Sequence, residues 1–178
     1  MSDGPARFRR LPPSALDRAG FLARYGGVYE HSPWIAAAVW DAGRAADAVD
    51  AMADAMATVA EAAPRADRIA LLRAHPDLAG RLALAGGLTA ASAAEQAGAG
   101  LDRCTPDELA TFRRLNAAYV ARFGFPFIVA VRGLDRAAIL ARLEARLGNG
   151  PEAEFREAMA QVHRIARLRL EALAAEAF

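Results

Sequence analysis

The sequence predicts an all-α domain of about eight or nine helices. Three observations carry that reading. Alanine, the strongest helix former, fills 47 of the 178 positions. Serine, threonine and aspartate followed by proline or acidic residues recur as helix starts. One segment alone, Phe125 to Val131 (FPFIVAV), is enriched in β-branched and aromatic residues. No repeat, linker or low-complexity tail divides the chain, so the expected unit is a single domain over residues 1–178 with an irregular lead-in over 1–12.

From the N-terminus, Pro12 and Pro13 precede Ser14, which can cap a short helix. Phe21, Tyr25 and Val28 then form an apolar stripe that ends near Gly26 and Gly27. Ser32-Pro33 is the first firm start, because proline at the first helical position has no N–H to leave unpaired. A further helix is expected from Asp47 to about Glu61, and Pro64 opens another that runs to Ala74. There Pro76 disfavours helical geometry at the residue before it, which puts His75 at a helix C-terminus. Gly80, Gly86 and Gly87 interrupt the chain, and Thr89 restarts a helix that ends at Gly98 or Gly100. Thr105-Pro106-Asp107-Glu108 is a capping box leading to Phe123-Gly124. FPFIVAV, bounded by Gly124 and Gly133, is an extended buried segment or a short strand. Asp135 caps a helix to about Leu147, and after Gly148-Asn149-Gly150 a long helix runs from Pro151 through Leu173.

Charge and composition exclude several function classes. All 22 basic residues are arginine, so a Walker-type phosphate loop, a pyridoxal-phosphate enzyme and a Schiff-base aldolase each lack their lysine. The net charge of +1 argues against a strongly electrostatic nucleic-acid binder. Cys104 stands alone, which excludes an intramolecular disulfide and any zinc site built on several thiolates, and it reads as a small buried side chain. No apolar run approaches the roughly 18 residues that cross a bilayer. Arg7, Arg9 and Arg10 at the N-terminus are not followed by the apolar core of a secretory signal, and a cytoplasmic protein is expected.

Few residues remain that can carry chemistry. His75 faces the negative end of a helix dipole, which favours imidazolium and suits a general acid; it can equally be a C-cap bonded to the last carbonyls. Asp77 near it gives a weak metal-ligand pattern without the supporting HxxxH spacing, and no metal is expected. Ser92, Glu95 and Gln96 converge on one polar patch if Thr89 caps their helix, whereas Ser92 and Glu95 also have the spacing of a capping box. Among Arg164, Arg167 and Arg169 most of the charge belongs on a solvated face, and one inward guanidinium is a natural carboxylate clamp. His163 reads as surface or interface, and His31-Ser32 offers no nucleophile elbow.

Taken in order, five stretches carry a resemblance: YEHSPW at Tyr29 to Trp34, HPDLAG at His75 to Gly80, SAAEQAGAGL at Ser92 to Leu101, LNAAYVARFGFPFIVAVRG at Leu115 to Gly133 and IARLRL at Ile165 to Leu170. Together they resemble the 2-oxo-4-hydroxy-4-carboxy-5-ureidoimidazoline (OHCU) decarboxylases of uric acid breakdown, nearly end to end. The resemblance implies an all-helical, usually homodimeric enzyme without cofactor that converts OHCU to (S)-allantoin with loss of carbon dioxide. It implies His75 as proton donor and Pro76 at the border of the pocket; beside it, Glu95 is expected to be catalytic, orienting and partly charging the imidazole or gripping the ureido N–H groups. It further implies Ser92, Ala93, Ala94 and Gln96 as substrate-binding residues, with backbone groups of Phe127, Ile128, Val129, Ala130 and Val131 and the cation of Arg169. The family often has lysine where Arg122 stands. Two other readings stay beside this one: a decarboxylase or binding protein for a related ureide, and, in a different class, an all-helical ligand-responsive regulator, for which the first 50 residues supply no arginine-rich recognition helix.

Overall fold

The computed structural model describes residues 6–76, 78, 94–95 and 99–176. Seven α-helices and two short 3₁₀ turns occur among them, against the eight or nine helices expected. Of the helix expected from Thr89 to Gly98 or Gly100, only residues 94, 95, 99 and 100 are described, the first three of them helical. The helices are α1 (Arg18–Tyr25), α2 (Pro33–Asp41), α3 (Val49–Ala62), α4 (Arg65–Ala74), α5 (Pro106–Phe123), α6 (Arg136–Leu147) and α7 (Pro151–Ala175), with 3₁₀ turns at Pro13–Ala15 and Leu101–Arg103. None of them is long and apolar enough to cross a membrane. The chain divides into two compact units, one built from residues up to Ala74 together with His163 onward, the other from His75 to Val162.

In the first unit the lead-in is tied down through α3. The Phe8 N–H donates to the Asp47 carbonyl and the Val49 N–H to that of Ala6, each at 2.9 Å, around an isolated bridge between Arg7 and Ala48. Ser14 does not cap a helix. Its N–H and hydroxyl instead donate to the Asp47 carboxylate at 2.9 and 2.7 Å, which holds that carboxyl below the usual range, and Asp17 caps α1 by accepting from the Gly20 N–H. Ser32 occupies the N-cap position of α2 ahead of Pro33, but its hydroxyl makes no capping hydrogen bond. Phe21, Tyr25 and Val28 are buried as the stripe predicts, and the Tyr25 ring packs 5.1 Å from Phe8 and 5.0 Å from Phe21. Helix α4 ends at Ala74, two residues before Pro76.

In the second unit the signals are largely local and the structure follows them. Thr105 and Glu108 form both halves of the capping box that starts α5, at 3.2 and 2.8 Å. Gly124 at φ 77° ends that helix in the left-handed region, and Gly133 at φ 79° turns the chain again nine residues later, positions where a Cβ is strained. Between them Phe125 to Val131 is non-helical, buried at every residue and paired in no strand. Asp135 caps α6 through the Ala138 N–H at 2.8 Å. Helix α7 begins at Pro151 and ends at Ala175, two residues beyond the expected Leu173; as far as Val162 it belongs to this unit.

The deepest polar group of the second unit is Glu154, with no exposure at all. Its Oε1 accepts from Nε and Nη2 of Arg146 at 2.8 and 2.5 Å and from the Tyr119 hydroxyl, and its Oε2 accepts from Nδ2 of Asn149 at 2.7 Å. Burial and the adjoining carboxylate push the Tyr119 phenol well above its ordinary pKa, so it stays protonated and donating. Removing one partner from such a cluster leaves an unpaired buried charge. Glu154→Gln is therefore expected to lower stability by about 3 kcal/mol in urea unfolding, with much of the loss recovered when Arg146→Met is added. Thr105→Ala is expected to cost about 1 kcal/mol in the same experiment.

Candidate functional site

The non-helical run of the second unit is where main-chain groups can meet a ligand, and two side chains hold it from behind. Nη1 of Arg146 donates to the Ile128 carbonyl at 2.7 Å, while its guanidinium lies 4.7 Å from the centroid of the Phe127 ring. Gln161 accepts from the Ala130 N–H at 2.9 Å, and its own amide is fixed on the Glu157 carboxylate at 2.8 Å. The Ile128 carbonyl and the Ala130 N–H, two residues apart, thus face the protein as groups on one side of an extended chain do. Both are engaged within the protein.

His75 follows the last residue of α4 and is 4% exposed. A histidine is seldom this buried without a hydrogen-bonding task. Pro76 after it is half-buried and Leu78 is buried. Of the polar stretch from Ser92 to Gln96, Ala94 is exposed and Glu95 half-buried, both helical, whereas Ser92, Ala93 and Gln96 lie outside the described residues, as does Asp77. Among the described residues no group of three or more histidine, cysteine, aspartate or glutamate side chains is arranged to hold a metal ion.

In the first unit, one of the three candidate arginines turns inward. Arg164 and Arg167 are exposed, and Arg169 is 8% exposed. The carboxylate that Arg169 meets belongs to the chain itself: Nη2 donates to Oε2 of Glu30 at 2.8 Å, and Nη1 donates to the Val28 carbonyl at 3.3 Å. Beside this pair the Tyr29 hydroxyl lies 2.7 Å from Nδ1 of His163, and Nε2 of His163 lies 2.9 Å from Oε1 of Glu61. Both ring nitrogens are thereby within hydrogen-bonding distance of an oxygen, one of the phenol and one of the carboxylate. Desolvation, then the nearby Glu61 charge, push the Tyr29 phenol far above its ordinary pKa. His163 is thus half-buried and bonded on both nitrogens, not a free surface group. Cys104, expected to be buried, is partly exposed.

Four residues that sequence reasoning missed hold these arrangements: Glu30, Arg146, Glu154 and Gln161. Glu154 stands in the first turn of α7, where an acidic residue reads as complementing the helix dipole. Nothing local distinguishes it from a solvated one, because its burial depends on Arg146 and Tyr119 on other helices.

A family profile described as OHCU decarboxylase matches residues 14–171. A protein of Haloferax volcanii named 2-oxo-4-hydroxy-4-carboxy-5-ureidoimidazoline decarboxylase is 44% identical over 155 residues, which cover 87% of this chain and 89% of that one. A protein of the same name from Mus musculus is 40% identical over 157 residues, 88% of either chain. A crystal structure of (S)-allantoin synthase superposes with a TM-score of 0.71 at 34% identity, covering 89% of this chain and 51% of that longer one. The agreement in sequence over most of both chains, and in helical architecture, means that this chain belongs to the OHCU decarboxylase family.

Proposed function

We propose that this protein is a carboxy-lyase that decarboxylates OHCU to (S)-allantoin in urate degradation, without a cofactor and with protonation on one face. The observation that carries the proposal is the 40 to 44% identity, over nearly the whole length, to relatives named for that activity. The chemistry suits the residues. The bond from C4 of the ring to the carboxylate carbon breaks, its electron pair passes into the adjoining conjugated C=N, carbon dioxide leaves, the C4 hydroxyl gives up its proton as C4 becomes a carbonyl carbon, and a proton arrives at the neighbouring ureido-bearing C5, which becomes the stereocentre. The substrate is its own electron sink, so the protein has to orient the carboxylate out of the ring plane, stabilise the charge that develops on the ring and deliver that proton.

In this proposal His75 delivers the proton, and its burial at the end of α4 supports the role, since an acid fixed in one place protonates one face. Glu95 orients the imidazole or grips the ureido N–H groups, Pro76 borders the pocket, and Ser92, Ala93, Ala94 and Gln96 bind the substrate. Phe127 to Val131 offer main-chain groups to the ring and ureido amides. Because the Ile128 carbonyl and the Ala130 N–H are used on Arg146 and Gln161, the main-chain groups that alternate to the opposite side, those of Phe127, Val129 and Val131, are the ones assigned to substrate. Arg169 is the cation of the site. The working unit is a cytoplasmic homodimer of a single domain spanning residues 1–178.

The test is to generate OHCU in situ from urate with urate oxidase and hydroxyisourate hydrolase and follow circular dichroism. Rapid appearance of (S)-allantoin is expected from the wild type, and His75→Ala is expected to lose about a hundredfold or more in rate along with the enantiomeric excess. Slow decay to racemate unchanged by the wild-type protein refutes the function; exclusive (S) product at wild-type rate from His75→Ala refutes the assignment of the acid. Glu95→Gln is expected to lower kcat by about tenfold or more, and full turnover in that variant removes Glu95 from the chemistry.

A further inference from the structure

The pair of Glu30 with Arg169 is buried at 2% and 8% exposure, and a buried ion pair is a poor device for stability, since apolar side chains of similar size serve as well or better. Its geometry is nonetheless closely built. Glu30 is flanked by two constrained residues: Tyr29 is bonded to His163 at 2.7 Å, and His31 holds a left-handed φ of 52° that few non-glycine residues adopt. The Tyr29 carbonyl accepts from the Ser32 N–H at 3.0 Å, closing the turn in which Glu30 sits. The guanidinium is fixed on its side by the Val28 carbonyl as well as by the carboxylate.

Resting on the reading that Arg169 belongs to the substrate site, we infer that Glu30 is a positioning residue that keeps Arg169 compensated in charge, so that the guanidinium directs the substrate's anion by oriented hydrogen bonds and not by net charge. The reason lies in where charge goes during the reaction. As the bond to the carboxylate carbon breaks, negative charge leaves the carboxylate for the ring and carbon dioxide departs neutral. A bare cation held against the carboxylate stabilises the bound substrate more than the transition state, which tightens binding and slows the step. A carboxylate accepting from Nη2 of that guanidinium at 2.8 Å weakens the ground-state grip while leaving the planar group in place.

The test compares wild type, Glu30→Gln and Glu30→Asp in the coupled OHCU assay, with direct titration of neutral (S)-allantoin and of allantoate, a ureide that carries a carboxylate. Glu30→Gln is expected to lower KM and kcat each by about tenfold and to tighten allantoate about tenfold with allantoin unchanged, whereas Glu30→Asp, which keeps the charge, stays within about threefold of wild type. A merely structural role gives the reverse order, the isosteric glutamine being tolerated better than the shorter aspartate. Wild-type kcat and KM in Glu30→Gln, or a raised KM with weaker allantoate binding, overturns the inference. If Glu30→Gln does not fold, Glu30→Asp decides: a folded Glu30→Asp that loses turnover, or binds allantoate about tenfold more tightly, overturns it, and near-wild-type behaviour supports it. A wild type that leaves OHCU untouched refutes the function proposed above. The titrations need no turnover and still decide the charge argument, failure to discriminate the two ureides counting against it.

Discussion

A carboxylate wholly removed from water sets the shape of the second unit. Glu154 gathers a guanidinium, a phenol and a carboxamide, and through the far nitrogen of that guanidinium it fixes the carbonyl of Ile128. Among the described residues the FPFIVAV run has no neighbouring strand to satisfy its main chain, and a buried main chain without partners is costly. The side chains of Arg146 and Gln161 stand in for the absent strand. Aromatic packing completes the arrangement, with the Tyr119 ring 5.4 Å from Phe127 and 6.0 Å from Phe125 in edge-on contact. Ionic, main-chain and aromatic contacts thus meet on a few residues, and displacement of any one disturbs the others.

An all-arginine chain suits this kind of construction. Arg146 reaches three acceptors, the carboxylate of Glu154, the carbonyl of Ile128 and the Tyr119 oxygen at 3.4 Å, and its guanidinium still lies 4.7 Å from the centroid of the Phe127 ring. Arg18 grips Asp41 through two parallel bonds of 2.8 and 2.9 Å at the surface. A lysine ammonium is a point charge on a flexible stem and fixes neither the direction nor the plane of its partner. The same property makes Arg169 with Glu30 an orienting pair.

What could be read from sequence was what neighbours in the chain decide. The Thr105 capping box, the Asp135 cap, the stop imposed on α4 by Pro76 and the two glycines around Phe125 to Val131 each act within four residues or through one backbone angle, and each appears where it was expected. Ser14 was misread because its hydroxyl had two uses within reach of the pattern, and the one it takes, on Asp47, lies 33 residues away. Glu30, Arg146 and Gln161 find partners 139, 18 and 31 residues distant, so nothing beside them in sequence marks them as buried. His75 stood out because a proline fixed its place locally. For the Ser92 to Gln96 stretch the structure adds only that Ala94 and Glu95 are helical.

The first unit is assembled from both ends of the chain. Arg169 bonds to Val28, His163 to Tyr29 and Glu61, and Arg24 to the Leu173 carbonyl, at sequence separations of 102 to 149. The second unit is continuous from His75 to Val162. On a ribosome the residues that complete the first unit emerge last, so helices α1 to α4 wait through the synthesis of some ninety further residues without the partners that the end of α7 supplies. The continuous unit can close meanwhile. Assembly therefore has an order written into the chain: the inserted segment first, the enclosing one only when α7 has been made in full, and a nascent chain stopped short of Arg169 is left with an exposed N-terminal half and the aggregation hazard that goes with it.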